Sequence, residues 1–142
     1  MQEASFEETV EQLIRKDQRY QRDAYLFLRD ALEYTQKQVA KENRGGLPHV
    51  TGRELLQGIR EYALEKFGPM TMTVFDEWGI HSTADFGEIV FSLVEIGQLR
   101  KTEKDTRDDF AAVYDFQEVF RKPFLPLSKT SSTKPESNPA GA

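Results

Sequence analysis

The sequence predicts a mainly α-helical protein with a small β-hairpin, in which N-terminal helices pack on a winged-helix-like part. Three observations carry this reading. Residues 1–44 contain no Gly or Pro and are rich in Glu, Gln, Lys, Arg, Ala and Leu, all good helix formers. Each apolar run before Gly97 is bounded by residues that cap or break a helix. Phe110, Ala112, Tyr114 and Phe116 then alternate with smaller or polar residues, the period of a half-buried strand.

The first helical segment spans 5–43. Ser5 followed by Glu8 has capping-box spacing, in which hydroxyl and carboxylate each satisfy an amide left unpaired at a helix start. Phe6, Val10, Leu13, Tyr20, Ala24, Phe27, Ala31 and Tyr34 form a four-three stripe that Asp17 interrupts, giving one long helix or two. The same spacing fits a coiled-coil seam through which two copies would pair. Tyr25, Leu28 and Leu32 widen the stripe, which favours packing on a globular core.

Asn43 to Pro48 reads as a loop. Thr51 with Glu54 makes a second capping box for a helix over 52–67, whose apolar face is Leu55, Leu56, Ile59, Ala63 and Phe67. Pro69 opens a short helix over 69–78 carrying Met70, Met72, Val74, Phe75 and Trp78, and Gly79 fits a left-handed cap. Thr83 is expected to cap a helix over 83–96 that closes at Gly97. Gln98 to Thr102 and Phe110 to Phe116 are expected to pair as the hairpin, with Glu103 to Asp109 as the wing. The order over 52–116 is that of a winged helix, with 69–78 and 83–96 as its helix-turn-helix pair. Residues 1–122 are expected to form one globular domain, and 123–142, dominated by Pro, Ser, Thr, Lys and Gly, a disordered tail.

The chain also resembles a family of short bacterial proteins described only as conserved. The resemblance rests on QRYQRDAYLFL at 18–28, HVTGREL at 49–55, FGPM and WGI within 67–80, DFGEIVFSLVEIGQL at 85–99 and VYDF at 113–116. It implies domain limits that exclude 123–142, and it brings no activity, ligand or catalytic residue.

Composition narrows the function classes. With no Cys among 142 residues, the chain has no disulfide, thiolate metal site or cysteine nucleophile, which agrees with a cytoplasmic location. The acidic start MQEASFEETV lacks the chemistry of a secretory or transit signal, and no apolar run approaches the ~20 residues of a membrane span. The net charge of -5 repels nucleic acid and anionic lipid unless a local basic patch exists.

From Phe67 through Leu99 there is no Lys or Arg, while Asp76, Glu77, Asp85, Glu88 and Glu95 are acidic. A DNA-reading helix in that position needs the opposite charge. The expectation is therefore a non-catalytic protein-interaction or adaptor module whose partner surface is Met72 with those five acids. The alternative is a regulator touching RNA or DNA through Arg15, Lys16, Arg19 and Arg22, and through Arg100, Lys101, Lys104 and Arg107 of the wing. The wing's four cations are balanced by Glu103, Asp105, Asp108 and Asp109. His49 and His81 have no metal-type spacing, and neighbours such as His81 and Ser82 in a turn seldom face each other as base and nucleophile. No catalytic residue, metal or cofactor is expected.

Overall fold

The computed structural model describes residues 5–43 and 49–126. Five α-helices make up most of it: α1 (Phe6–Lys16), α2 (Arg22–Asn43), α3 (Gly52–Phe67), α4 (Thr71–Glu77) and α5 (Thr83–Glu95). Of the loop expected over 43–48, Asn43 is the last residue of α2 and 44–48 lie outside the described residues, as do all but the first residues of the expected tail.

Asp17 divides the N-terminal segment into two helices. Its carboxylate accepts hydrogen bonds from the Arg19 backbone N–H (3.0 Å) and from Arg19 Nη2 (2.7 Å), so the side chain competes with helical backbone pairing. Asp17 itself is extended (φ -138°), and α2 restarts after Gln21, whose N–H donates to Trp78 O (3.1 Å). The link is thereby fastened to the α4–α5 turn. Gly79 in that turn has φ +88°, and a Cβ there would strike the Arg19 carbonyl oxygen, so the close approach requires glycine.

Ser5–Glu8 and Thr51–Glu54 form reciprocal capping boxes as expected. At α5 the expected cap moves by one residue. Ser82, not Thr83, is the N-cap residue, and Thr83 is wholly buried in the first turn.

One hydrophobic cluster runs from Val10 of α1 to Phe120 near the C-terminus. Its centre is Phe75, which α4 carries into the core with no exposed surface. Its ring meets Phe27 (5.6 Å), Phe86 (5.2 Å) and Phe120 (5.4 Å) edge to face, an arrangement that matches ring edges to π-faces. α2 packs most extensively on α3, and Gly58 is what lets the two approach.

The expected hairpin is not present; no strand occurs among the described residues. Arg107–Phe110 is a 3-10 turn, Ala112 is left-handed (φ 48°), and Gln117–Arg121 is a π turn. The alternation marks neither extension nor a period of burial, since Ala112 is exposed and Val113 is half-buried. Phe110 and Phe116 are buried and Tyr114 is half-buried, while the backbone between them is satisfied by side chains. Thr83 Oγ1 donates to Phe110 O (2.6 Å) and accepts from Val113 N–H (3.1 Å). Tyr114 Oη donates to Leu56 O (2.8 Å). The Gln98–Thr102 run turns back on α5 instead, with Gln98 N–H donating to Leu93 O (2.9 Å). The expected wing is a turn held by Asp105, which accepts from Thr102 N–H (2.8 Å). Helices α3, α4 and α5 therefore follow one another as expected, and no paired strands accompany them among the described residues.

A Cβ at position 58 would overlap Thr35 Oγ1 and lie 2.8 Å from Thr35 Cβ. Gly58→Ala is expected to destabilise the protein by about 1–3 kcal/mol through overpacking, measured by urea unfolding. Thr35→Ala in the same chain removes the hydroxyl but not the Cβ, and restores only part of the loss.

Candidate functional site

The acidic residues expected on the partner surface occupy three different settings. Asp85 is a structural acceptor: its carboxylate receives Tyr20 O–H (2.6 Å), His81 N–H (2.8 Å) and Ser82 N–H (3.2 Å). Burial first, and then the bond to Asp85, push the Tyr20 hydroxyl well above its ordinary range. Glu88 is bridged by Arg107 (3.2 Å) and Arg19 (3.5 Å). Asp76, Glu77 and Glu95 are exposed, with Asp76 in contact with His81 Nε2 (2.9 Å). The surface is thus acidic at α4 and compensated along the first half of α5.

The eight basic residues of the alternative interface divide as well. Arg19 and Arg107 converge on Glu88, and Arg22 pairs with Glu11. α1 runs antiparallel to α5, because Thr9 receives Gln98 Nε2 (3.2 Å) while Arg19 reaches Glu88. Arg15 and Lys16 lie in the last turn of α1, between those two contacts along the chain, and Arg100, Lys101 and Lys104 follow the end of α5.

The histidines are likewise in separate settings. His49 Nε2 meets Asp105 Oδ2 (2.8 Å), and His81 meets Asp76. No hydrogen bond joins His81 to Ser82, and no cluster of three potential metal ligands occurs among the described residues.

The most accessible apolar surface lies elsewhere on α4. Pro69, Met72 and Thr73 face Phe120, Arg121, Phe124 and Leu125 across a groove of about 320 Å³. Phe124 is 45% exposed, Leu125 44% and the adjoining Met70 55%. Of the two methionines, Met70 is the outward one and Met72 packs against the core. Lys122–Phe124 is a 3-10 turn that brings Phe124 and Leu125 to this edge. Sequence reading assigned these two residues to the tail; the available signal was an apolar pair enclosed between Pro123 and Pro126. Asp76 and Glu77, three and four residues after Thr73, follow it on the same side of α4.

No helix among the described residues is long and apolar enough to cross a membrane. Comparison with protein-family models, with characterised proteins and with solved structures gives no match.

Among the described residues, two carboxyls lie below their ordinary range. Asp17 is lowered first by the Arg19 side-chain bond. At Asp105 burial acts upward and is outweighed by bonds from Thr102 and His49. A lowered folded-state value contributes stability above the unfolded value near 3.8, and that contribution disappears as pH falls through the folded value. Asp105→Asn is expected to cost on the order of 1 kcal/mol at pH 6, by loss of the charge-assisted bonds. In urea midpoints taken from pH 6 to pH 2, the variant and the parent protein should converge as the parent's carboxyl protonates.

Proposed function

We propose that this protein is a non-catalytic interaction module, and that it holds a basic amphipathic segment of a partner protein in the groove between α4 and the Lys122–Phe124 turn. The observation that carries the reading is that the exposed Phe124 and Leu125 share one groove with Pro69 and Met72, with the exposed Met70 next to Pro69 in the chain and the acidic end of α4 one turn beyond Thr73. Exposed large apolar residues scattered singly need no explanation, but a contiguous group around a groove does. Such a groove takes an amphipathic helix by its apolar stripe.

Charge selects the partner. Asp76 and Glu77 are exposed on α4 one turn beyond Thr73 of the groove, while of the nearby cations Arg121 lines the groove and Lys122 is already paired with Glu118 (2.6 Å). An apolar stripe flanked by Lys and Arg complements that arrangement, whereas a polyanion does not. Of the acids expected in the interface, Asp76 and Glu77 keep a recognition role here, and Asp85 is better understood as a joint. In this reading α3, α4 and α5 serve as a helix-turn-helix-like platform whose missing wing is replaced by the docked 103–121 segment. Membership of the short bacterial family that the motifs resemble is compatible with the proposal and adds no activity to it.

A photo-crosslinking amino acid placed at Met70 in living cells tests the proposal against the same label at Lys37 on the far side of α2. The expected result is a discrete protein adduct at 70, absent at 37, mapping to an apolar segment with Lys or Arg on its flanks. Phe124→Asp should reduce it at least about tenfold while leaving the melting temperature within 2–3 °C, as for an exposed position. An adduct with nucleic acid, with an acidic segment, or with a second copy of this chain overturns the proposed partner.

A further inference from the structure

A second opening, beside α5, has the chemistry of a small-ligand site. Leu32, Leu55, Val90, Val94 and Phe110 wall a half-enclosed cavity of about 270 Å³, of which the lining is mainly apolar. At roughly 30 Å³ for one water-sized group, this is room for about nine methylene-sized groups. The mouth is polar and asymmetric in charge. Arg100 and Lys101 lie there with no acidic partner among the described residues. The acid at the mouth, Asp105, is already engaged by Thr102 N–H (2.8 Å), Thr102 Oγ1 (3.2 Å) and His49 Nε2 (2.8 Å). All three bonds end on Oδ2, Lys101 Nζ also donates to Thr102 O (3.4 Å), and Arg100 and Lys101 are exposed at the rim of an apolar chamber where two cations outnumber one carboxylate.

An apolar chamber with a few convergent polar groups is the usual form of a small-molecule site. We infer that this cavity binds an aliphatic monocarboxylate of about six to ten carbons, with the chain among Leu32, Val90 and Phe110 and the carboxylate at Arg100 and Lys101. The cavity length sets the chain, because a longer tail has to leave the apolar walls. The rim sets the headgroup: a carboxylate accepts a bidentate pair from a guanidinium, whereas an ammonium meets two like charges. The site shares no residue with the groove at Met70 and Phe124, so the two proposals stand independently.

Calorimetric titration of the full chain with sodium octanoate, below its micelle-forming concentration, tests the inference. Saturable one-to-one binding is expected, tightening about fourfold per methylene from butanoate to octanoate and levelling off beyond about ten carbons. Octylammonium should bind at least about tenfold more weakly, and Arg100→Ala with Lys101→Ala should weaken octanoate by about tenfold or more at an unchanged melting temperature. Val94→Phe, which fills the chamber from a half-buried position, should abolish binding; if that variant fails to fold, the headgroup series and the rim double variant still decide the matter. Absence of saturable octanoate binding, equal binding of octanoate and octylammonium, or indifference to the rim variant overturns the inference.

Discussion

The seating of Phe110 is the constraint on which the second half of the chain depends. Its ring fits against two helices at positions where neither has a side chain. A Cβ on Gly52 of α3 would lie 2.9 Å from Phe110 Cε1, and one on Gly87 of α5 would lie 2.8 Å from Phe110 Cβ. Phe91 meets the ring edge to face (6.3 Å, 87°), and the Phe110 carbonyl receives the hydroxyl proton of Thr83. With a buried aromatic held at both its ring and its backbone, the segment after it has no freedom to extend and pair. It turns at Ala112 and delivers Phe116 and Phe120 to the central ring of Phe75.

Both candidate surfaces follow from that seating. Phe110 forms part of the wall of the cavity beneath Arg100 and Lys101. The chain that leaves it reaches the far edge of α4, where Phe124 and Leu125 complete the groove beside Pro69 and Met72. A parallel constraint acts on the N-terminal half. The Asp85 carboxylate gathers Tyr20 O–H with the His81 and Ser82 amides, so that the α1–α2 link and the α4–α5 turn are tied at one point. Removal of any one donor leaves the others in place, but the carboxylate itself has no substitute of the same reach and charge.

The helices were legible in the sequence because local chemistry decides them. Ser5–Glu8 and Thr51–Glu54 cap where their spacing says, and Gly79 and Gly97 take positive φ where the periodic runs end. Asp17 signalled a break, and its bonds to Arg19 make one. The hairpin failed as an expectation because an alternation of residue types does not require an alternation of burial: Ala112 is exposed and Val113 is half-buried. Thr83, read as a cap, instead supplies the hydrogen bonds that a strand partner would have supplied, and a partnership between residues 27 and 30 positions apart leaves no local pattern. The acidic stretch was visible as composition, yet whether a given acid recognises, caps or pairs depends on what faces it. Glu88 faces two arginines and Asp76 faces solvent and His81. Phe124 and Leu125 were hidden by the company of Pro and Ser that follows them.

Amide hydrogen exchange at Val113 in the parent protein and in Thr83→Val tests the seating most directly, because that amide donates to the Thr83 hydroxyl. Seating through Thr83 predicts slow exchange in the parent and fast exchange in the isosteric variant, with the Ile89 amide of α5 still protected in both. Equal protection of Val113 in the two proteins would mean that its partner is a strand backbone and not the side chain of Thr83, and would contradict the fold described for the 107–121 segment.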